Sequence, residues 1–333
     1  MINIKGKKIL VTGSEGFIGS HLVERLLKEE ANVTALVLYN FKNDIGNLKF
    51  LEKKYLDMLK IKFGDIRDVK SVKNLINSND VILNLAALIG IPYSYNAPSS
   101  YFETNTIGLM NILDNSKGKR VIHTSTSEVY GTAKYVPIDE NHSLNAQSPY
   151  AASKIAADQL ALSYYNSFNT NVTIIRPFNT FGPRQSNRAF IPTVINQLLK
   201  NKKIIKLGDL STKRDLTFVS DTVDGYIKCI NGNNNKTIGQ VLNLGTGFSI
   251  SMKEIAEFLT LEINPNAKLI KDHKRVRPRN SEVLNLVSKN LKSKKIIGWK
   301  PEYNTKKKIF KALLKTVNFY KNNLQYSSSE YVI

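Results

Sequence analysis

Lys8-Ile9-Leu10-Val11-Thr12-Gly13-Ser14-Glu15-Gly16-Phe17-Ile18-Gly19 is the stretch that decides the fold. Five residues of short buried-strand character run into three glycines. From Ile18 the apolar residues Ile18, Leu22, Leu26 and Leu27 fall at helical spacing up to Lys28. A strand, a glycine turn and a helix in that order are the opening of a βαβ unit. Glycine there permits a tight turn, close backbone approach to a pyrophosphate and close packing of helix on strand. The helix amino terminus offers N–H groups and a favourable dipole to the phosphates. Gly13, Gly16, Phe17, Ile18 and Gly19 are therefore candidate dinucleotide contacts.

Strand and helix signals keep alternating downstream. Residues 33–38, 59–63, 80–85, 120–124, 171–176 and 240–244 read as six further strands, separated by helical stretches. That alternation predicts an α/β chain with a Rossmann-type, doubly wound parallel sheet covered on both faces. After Pro177 the character changes to loops such as Phe181-Gly182-Pro183-Arg184-Gln185. The expected organisation is a dinucleotide-binding lobe over 1–177, with a returning segment near 217–247. A smaller carboxyl-terminal substrate-binding lobe is expected over 178–216 and 248–333.

Composition narrows the function classes. A chain of 333 residues with 42% apolar content can bury a large core. No apolar run reaches membrane-spanning length, and the first residues read as the approach to a strand rather than as an apolar signal region. The single cysteine, Cys229, excludes an internal disulfide and suits a reducing compartment, so a cytoplasmic protein without a membrane is expected. The formal charge of +21 raises the question of nucleic acid. The lysines are scattered rather than clustered, so no nucleic-acid role is expected. A dinucleotide or sugar nucleotide uses the same electrostatics. His123 and His142 lack the partner spacing of a metal site, and none is expected.

A second cluster carries the chemistry. Ser125-Thr126-Ser127-Glu128-Val129-Tyr130-Gly131 follows the fifth strand, and Tyr150-Ala151-Ala152-Ser153-Lys154 follows that. Tyrosine and lysine at i and i+4 share a helical face. An ammonium beside a phenol favours the phenolate, and the expectation is a tyrosine pKa lowered toward neutrality, giving a base for an alcohol proton. Thr126, Ser127, Glu128, Tyr150 and Lys154 are the candidate catalytic set.

The remaining cofactor contacts are read by position. Asp65 and Ile66 follow the third strand, and Ala86 follows the fourth, where the adenine and nicotinamide regions are expected. The second strand ends in Leu38-Tyr39-Asn40-Phe41-Lys42-Asn43-Asp44, without the carboxylate that commonly accepts from the ribose 2′-hydroxyl. Asn40 could bind the ribose and Lys42 could pair with a 2′-phosphate. NAD is the cofactor chosen, with NADP as its competitor.

The glycine loop, Ser-Thr-Ser-Glu-Val-Tyr-Gly, Tyr-x-x-x-Lys and Arg176-Pro177-Phe178-Asn179 together resemble the extended short-chain dehydrogenase/reductase superfamily. The likeness continues through Arg214-Asp215-Leu216-Thr217-Phe218-Val219, Arg277-Pro278 and Gly298-Trp299-Lys300-Pro301. Within it the chain most resembles nucleotide-sugar 4,6-dehydratases. The nearest likeness is to those of the bacterial legionaminic acid pathway, which act on a nucleotide-linked N-acetylglucosamine. The resemblance implies that Tyr150, with Lys154 and Thr126, takes the proton of the sugar 4-hydroxyl as hydride leaves C4 for the nicotinamide. Glu128 then removes the acidified C5 proton, the 6-hydroxyl leaves as water, and hydride returns to C6.

The same resemblance implies that Asn179 holds the diphosphate or sugar. Arg184, Arg188, Arg214 and Arg277, spaced through the carboxyl-terminal part, are expected to converge on the nucleotide diphosphate, Arg214 and Arg277 first because their segments match the family. Guanidinium suits a pair of phosphate oxygens. It also implies a homodimer joined through a four-helix bundle. Ser127 departs from many 4,6-dehydratases, which place aspartate there. GDP-mannose 4,6-dehydratases and nucleotide-sugar decarboxylases carry Thr-Ser-Glu as this chain does, which favours a GDP-linked substrate. Simple epimerases lack the glutamate. An epimerase or decarboxylase on a similar nucleotide sugar is the enzymatic alternative. A non-catalytic dinucleotide-binding regulator is the alternative of another class.

Overall fold

A computed structural model describes residues 4–272, 283 and 285–324. Thirteen strands are present among them: β1 (Lys8–Thr12), β2 (Asn32–Leu38), β3 (Lys60–Gly64), β4 (Val81–Asn84), β5 (Arg120–Thr124), β6 (Val172–Pro177), β7 (Asn179–Phe181), β8 (Ile204–Leu207), β9 (Lys213–Phe218), β10 (Val241–Leu244), β11 (Ser249–Ser251), β12 (Lys268–Lys271) and β13 (Asn285–Leu286). The seven strands expected from the sequence form one sheet in the order β10-β6-β5-β4-β1-β2-β3. Every pair within it is parallel.

Alternation along each strand explains the two covered faces. Ile9 and Val11 of β1 enter one core with Leu22 and Leu26 of the first helix, Phe17–Lys28, while Leu10 between them enters another with Ile76 and Leu109. Val81 and Leu83 of β4 split from Ile82 in the same way. Successive side chains point to opposite faces, so a strand apolar at every position must be covered twice.

From β1 the chain adds β2 and β3 on one side, then crosses back to place β4 on the other. The order therefore reverses between β1 and β4, and a crevice opens at their carboxyl ends. The glycine loop leaves β1 there, Ala86 follows β4, and Thr126 follows β5.

A second sheet is built around β9, which pairs in parallel with β7 and β13 and antiparallel with β11. Phe178, between β6 and β7, donates its N–H to the Leu244 carbonyl at 2.8 Å. The chain thus passes from the large sheet to the small one within a single residue, which puts Asn179 at their seam. The buried Asp215 carboxylate locks this region. It accepts from Thr246 N (2.7 Å) and Oγ1 (2.6 Å), Gly247 N (2.9 Å) and Ser288 N (3.0 Å). β8 and β12 pair separately. Among the described residues no helix is long and apolar enough to cross a membrane.

Candidate active site at the sheet reversal

The glycine loop takes its shape from contacts that no larger residue would allow. Gly13 has φ +63°, and a Cβ there would lie 2.8 Å from the Ala86 backbone. A Cβ on Gly19 would lie 2.2 Å from the Gly13 carbonyl oxygen. Gly16 caps the first helix without a side-chain hydrogen bond, and no acidic residue occupies the first turn. The positive end of that helix is thus left to a ligand anion. Ala86 is held in place by Thr12, whose hydroxyl accepts from Leu85 N (3.2 Å) and Ala86 N (3.1 Å) and donates to Asn84 Oδ1 at 2.7 Å. Asn84 Nδ2 in turn meets His123 Nδ1 at 3.2 Å, tying the ends of β1, β4 and β5 together.

The catalytic candidates converge beside this crevice. Thr126 caps a short turn, Ser127–Tyr130, its hydroxyl accepting from Glu128 N at 3.2 Å. Ser148 caps the long helix Pro149–Phe168 by accepting from Ala151 N, and proline occupies its first turn, where a missing N–H costs nothing. Tyr150 and Lys154 are both buried on this helix. The Thr126 hydroxyl lies close enough to the Tyr150 phenol to favour its ionised form. Glu128 acts on the same phenol through its charge, and the Tyr101 ring meets the Tyr150 ring edge-on at 6.2 Å.

The electrostatics differ from the sequence expectation. Tyr150 is pushed up from the ordinary tyrosine range, first by burial and then by the Glu128, Tyr101 and Asp158 charges. Lys154 does not reverse this. Its ammonium donates to the Thr124 carbonyl at 2.6 Å, and burial lowers it to about 8 against the opposing pull of Asp158. Burial, rather than the neighbouring ammonium, dominates the ionisation of the phenol.

Beneath the pair lies a buried network that sequence reading missed. Asp158, one helical turn beyond Lys154, accepts from Ser125 Oγ at 2.8 Å and from Arg176 Nε at 2.9 Å, with Arg176 Nη2 in ion-pair contact at 2.9 Å. Arg176 Nη1 donates to the Tyr130 hydroxyl at 2.9 Å, which donates to Asn243 Oδ1 at 2.7 Å. The i+4 spacing from Lys154 was the available signal for Asp158. Its partner lies on β6, which local pattern does not reveal. His123 is fully buried, and burial holds it well below the ordinary histidine range. His142 bridges Lys134 N and the Ser143 carbonyl.

The other candidates divide. Asn179, at the start of β7, carries a buried side-chain oxygen without a partner, as a ligand-facing amide would. Arg188 lies beside Gly90 and its charge acts on the Tyr101 phenol, which brings it toward Tyr150. Arg184 pairs its Nη2 with Glu24 of the first helix at 2.6 Å and leaves Nε and Nη1 buried without a partner. Arg214 sits in β9 opposite Ile250 and Leu286, its Nη1 on the Lys213 carbonyl. Arg277 lies outside the described residues. Asp65 is clamped by Arg67, which holds its carboxyl below the usual range, and Ile66 packs under Gly108. Asn40 spends its amide on Leu38 O, Asp44 O and Asp44 N, closing its own loop. Lys42 lies over the Phe41 ring.

Residues 10–311 match the model of a family described as GDP-mannose 4,6 dehydratase. The chain belongs to this family. It forms part of the extended short-chain dehydrogenases/reductases that work on nucleotide sugars as dehydratases, epimerases and decarboxylases. Family members with detectable likeness span those activities. A putative UDP-glucose 4-epimerase of Methanocaldococcus jannaschii is 32% identical over 95% of this chain and 99% of its own length. A UDP-N-acetyl-alpha-D-glucosaminuronate decarboxylase of Bacillus cytotoxicus is 34% identical over 79% of this chain and 83% of its own. The dTDP-glucose 4,6-dehydratase DesIV of Streptomyces venezuelae, solved with NAD bound, superposes with a TM-score of 0.83 at 27% identity. That match covers 96% of this chain and 98% of DesIV.

Proposed function

We propose that the protein is an NAD-dependent nucleotide-sugar 4,6-dehydratase whose substrate is GDP-N-acetylglucosamine. The observation that carries this reading is Glu128, a carboxylate close enough to the Tyr150 phenol to act on its ionisation. Oxidation at C4 alone needs one base, whereas elimination across C5 and C6 needs a second proton acceptor. The uncapped helix start and the orphaned Asn179 oxygen suit a dinucleotide and a nucleotide sugar on either side of the crevice. Bound NAD supplies the hydride acceptor and returns the hydride.

Tyr150 takes the proton of the 4-hydroxyl, held by the Thr126 hydroxyl. Glu128 takes the C5 proton made acidic by the 4-ketone and, with Ser127 beside it in a buried turn, delivers a proton to the leaving 6-hydroxyl. Asn179 and Arg188 orient the nucleotide sugar. The Thr-Ser-Glu sequence and the matching family model favour the GDP-linked substrate, and the likeness to the legionaminic acid branch favours the N-acetylated sugar. We also take the chain to fold as a dinucleotide lobe ending near Pro177 with a substrate lobe after it, and to work as a homodimer in the cytoplasm.

Glu128→Gln tests the mechanism. General-base catalysis contributes about 10²–10⁴-fold, so dehydration should fall by at least about a hundredfold while NAD binding persists. An undiminished rate shows that Glu128 is not the base.

A further inference from the structure

The end of β2 carries no carboxylate of its own, but one from another loop reaches it. Glu15, in the middle of the glycine loop, reaches across to the carboxyl end of β2, where its Oε1 accepts from Leu38 N at 3.0 Å. Its Oε2 is buried and takes no hydrogen bond from another residue, and besides Leu38 N only the Glu15 backbone N–H acts on the carboxyl. The loop after β2 closes over this residue: Asn47 N donates to the Glu15 carbonyl at 2.9 Å. A Cβ on Gly46 would lie 2.9 Å from the Glu15 Cβ. Burial raises the Glu15 carboxyl against the lowering by the Leu38 and Glu15 backbone N–H groups, and a further donor on Oε2 would favour the carboxylate more.

Bracing β2 uses one Glu15 oxygen, on Leu38 N, and leaves Oε2 without a donor from another residue. The neighbouring Ser14 makes such a brace with one hydroxyl, donating to the Leu36 carbonyl at 2.9 Å. A buried acceptor left unpaired costs free energy, so its usual explanation is a donor that arrives with a ligand. At the end of the second strand of a dinucleotide fold, that donor is the adenosine ribose hydroxyl. Neither side-chain group of Asn40 is open for the task, since both serve its own loop.

We propose that Glu15 is the ribose-binding carboxylate of this protein and the residue that selects NAD over NADP. The proposal rests on the cofactor reading above and deepens it. Oε2 accepts from the ribose 2′-hydroxyl, and the same charge repels a 2′-phosphate, which carries close to two negative charges at neutral pH.

The test is isothermal titration of NAD and NADP into nucleotide-stripped wild type and Glu15→Gln, with the nucleotide released from each purified protein identified by mass spectrometry. Glutamine is isosteric and keeps an oxygen for Leu38 N, and thermal melts without nucleotide check that the variant is folded. Wild type should hold NAD at least about tenfold tighter than NADP. In Glu15→Gln the loss of a charged hydrogen bond should weaken NAD about tenfold and move the ratio toward parity. Wild type that prefers NAD beside a folded Glu15→Gln with the same preference overturns the assignment of Glu15 alone. Wild type that prefers NADP also overturns it. Wild type that binds neither nucleotide overturns the cofactor reading and this assignment with it.

Discussion

Arg176→Met isolates the buried charge network under the candidate catalytic pair. Asp158 is fully buried and Arg176 nearly so, and Asp158 Oδ2 accepts from Arg176 Nε at 2.9 Å and pairs with Nη2 at 2.9 Å. Methionine keeps most of the volume but leaves the carboxylate with Ser125 Oγ as its one remaining hydrogen-bond donor in this set. Removing one partner of a buried pair costs about 3–5 kcal/mol, because the other charge stays desolvated. Loss of the Arg176 hydrogen bond to the Tyr130 hydroxyl adds to this. The assay is urea unfolding of nucleotide-free protein followed by fluorescence and circular dichroism together.

Adding Asp158→Asn should recover at least about 1 kcal/mol, since residues in one network couple by about 0.5–3 kcal/mol. The pH dependence has a definite sign. Burial already raises the Asp158 carboxyl above its ordinary value, and losing Arg176 raises it further. A carboxyl raised in the folded state favours folding under acid conditions, and that contribution is lost as pH climbs through its folded value. The penalty of Arg176→Met should therefore shrink toward acid pH. A loss under about 1 kcal/mol, or a double variant no more stable than the single, refutes the reasoning.

Lys154→Met gives a second pH signature. Burial lowers the lysine to about 8, so between there and the unfolded lysine value the unfolded chain binds more protons. Wild-type stability relative to Lys154→Met should rise across that window by at most about 1.4 kcal/mol per pH unit and stay level below it. A level difference throughout, measured by urea unfolding at several pH values, contradicts the lowered lysine. Gly19→Ala places a methyl 2.2 Å from the Gly13 carbonyl oxygen, which is backbone and cannot swing aside. It should cost about 1–3 kcal/mol and weaken NAD binding, measured by unfolding and by calorimetry.

What could be read from the sequence was local. Seven strands declared themselves by short apolar runs, and their parallel order followed from the helices between them. The glycine loop and the Tyr150/Lys154 spacing are local as well, and both stand at the sheet reversal. What escaped depends on which strands become neighbours. Asp158 meets Arg176 because β6 lies beside β5 under the long helix, and Glu15 reaches Leu38 because β2 lies beside β1. The lowered Tyr150 pKa also failed as an expectation. Helical spacing brought Lys154 to the right face, but it could not tell that the Thr124 carbonyl would hold the ammonium or that burial would dominate. Arg184 has a partner that sequence could not reveal: its Nη2 pairs with Glu24, while Nε and Nη1 are buried without a partner.

The most direct measurement is the mass of the product. The purified protein would be incubated separately with GDP-N-acetylglucosamine, its UDP counterpart and a nucleotide-linked uronic acid, and the nucleotide sugars examined by mass spectrometry with the bound nucleotide identified afterwards. A dehydratase converts the GDP-linked sugar to a product lighter by one water while NAD stays oxidised and bound. A product of unchanged mass identifies an epimerase, and no conversion of either sugar alongside carbon dioxide release from a nucleotide-linked uronic acid identifies a decarboxylase. Either result contradicts the role given to Glu128.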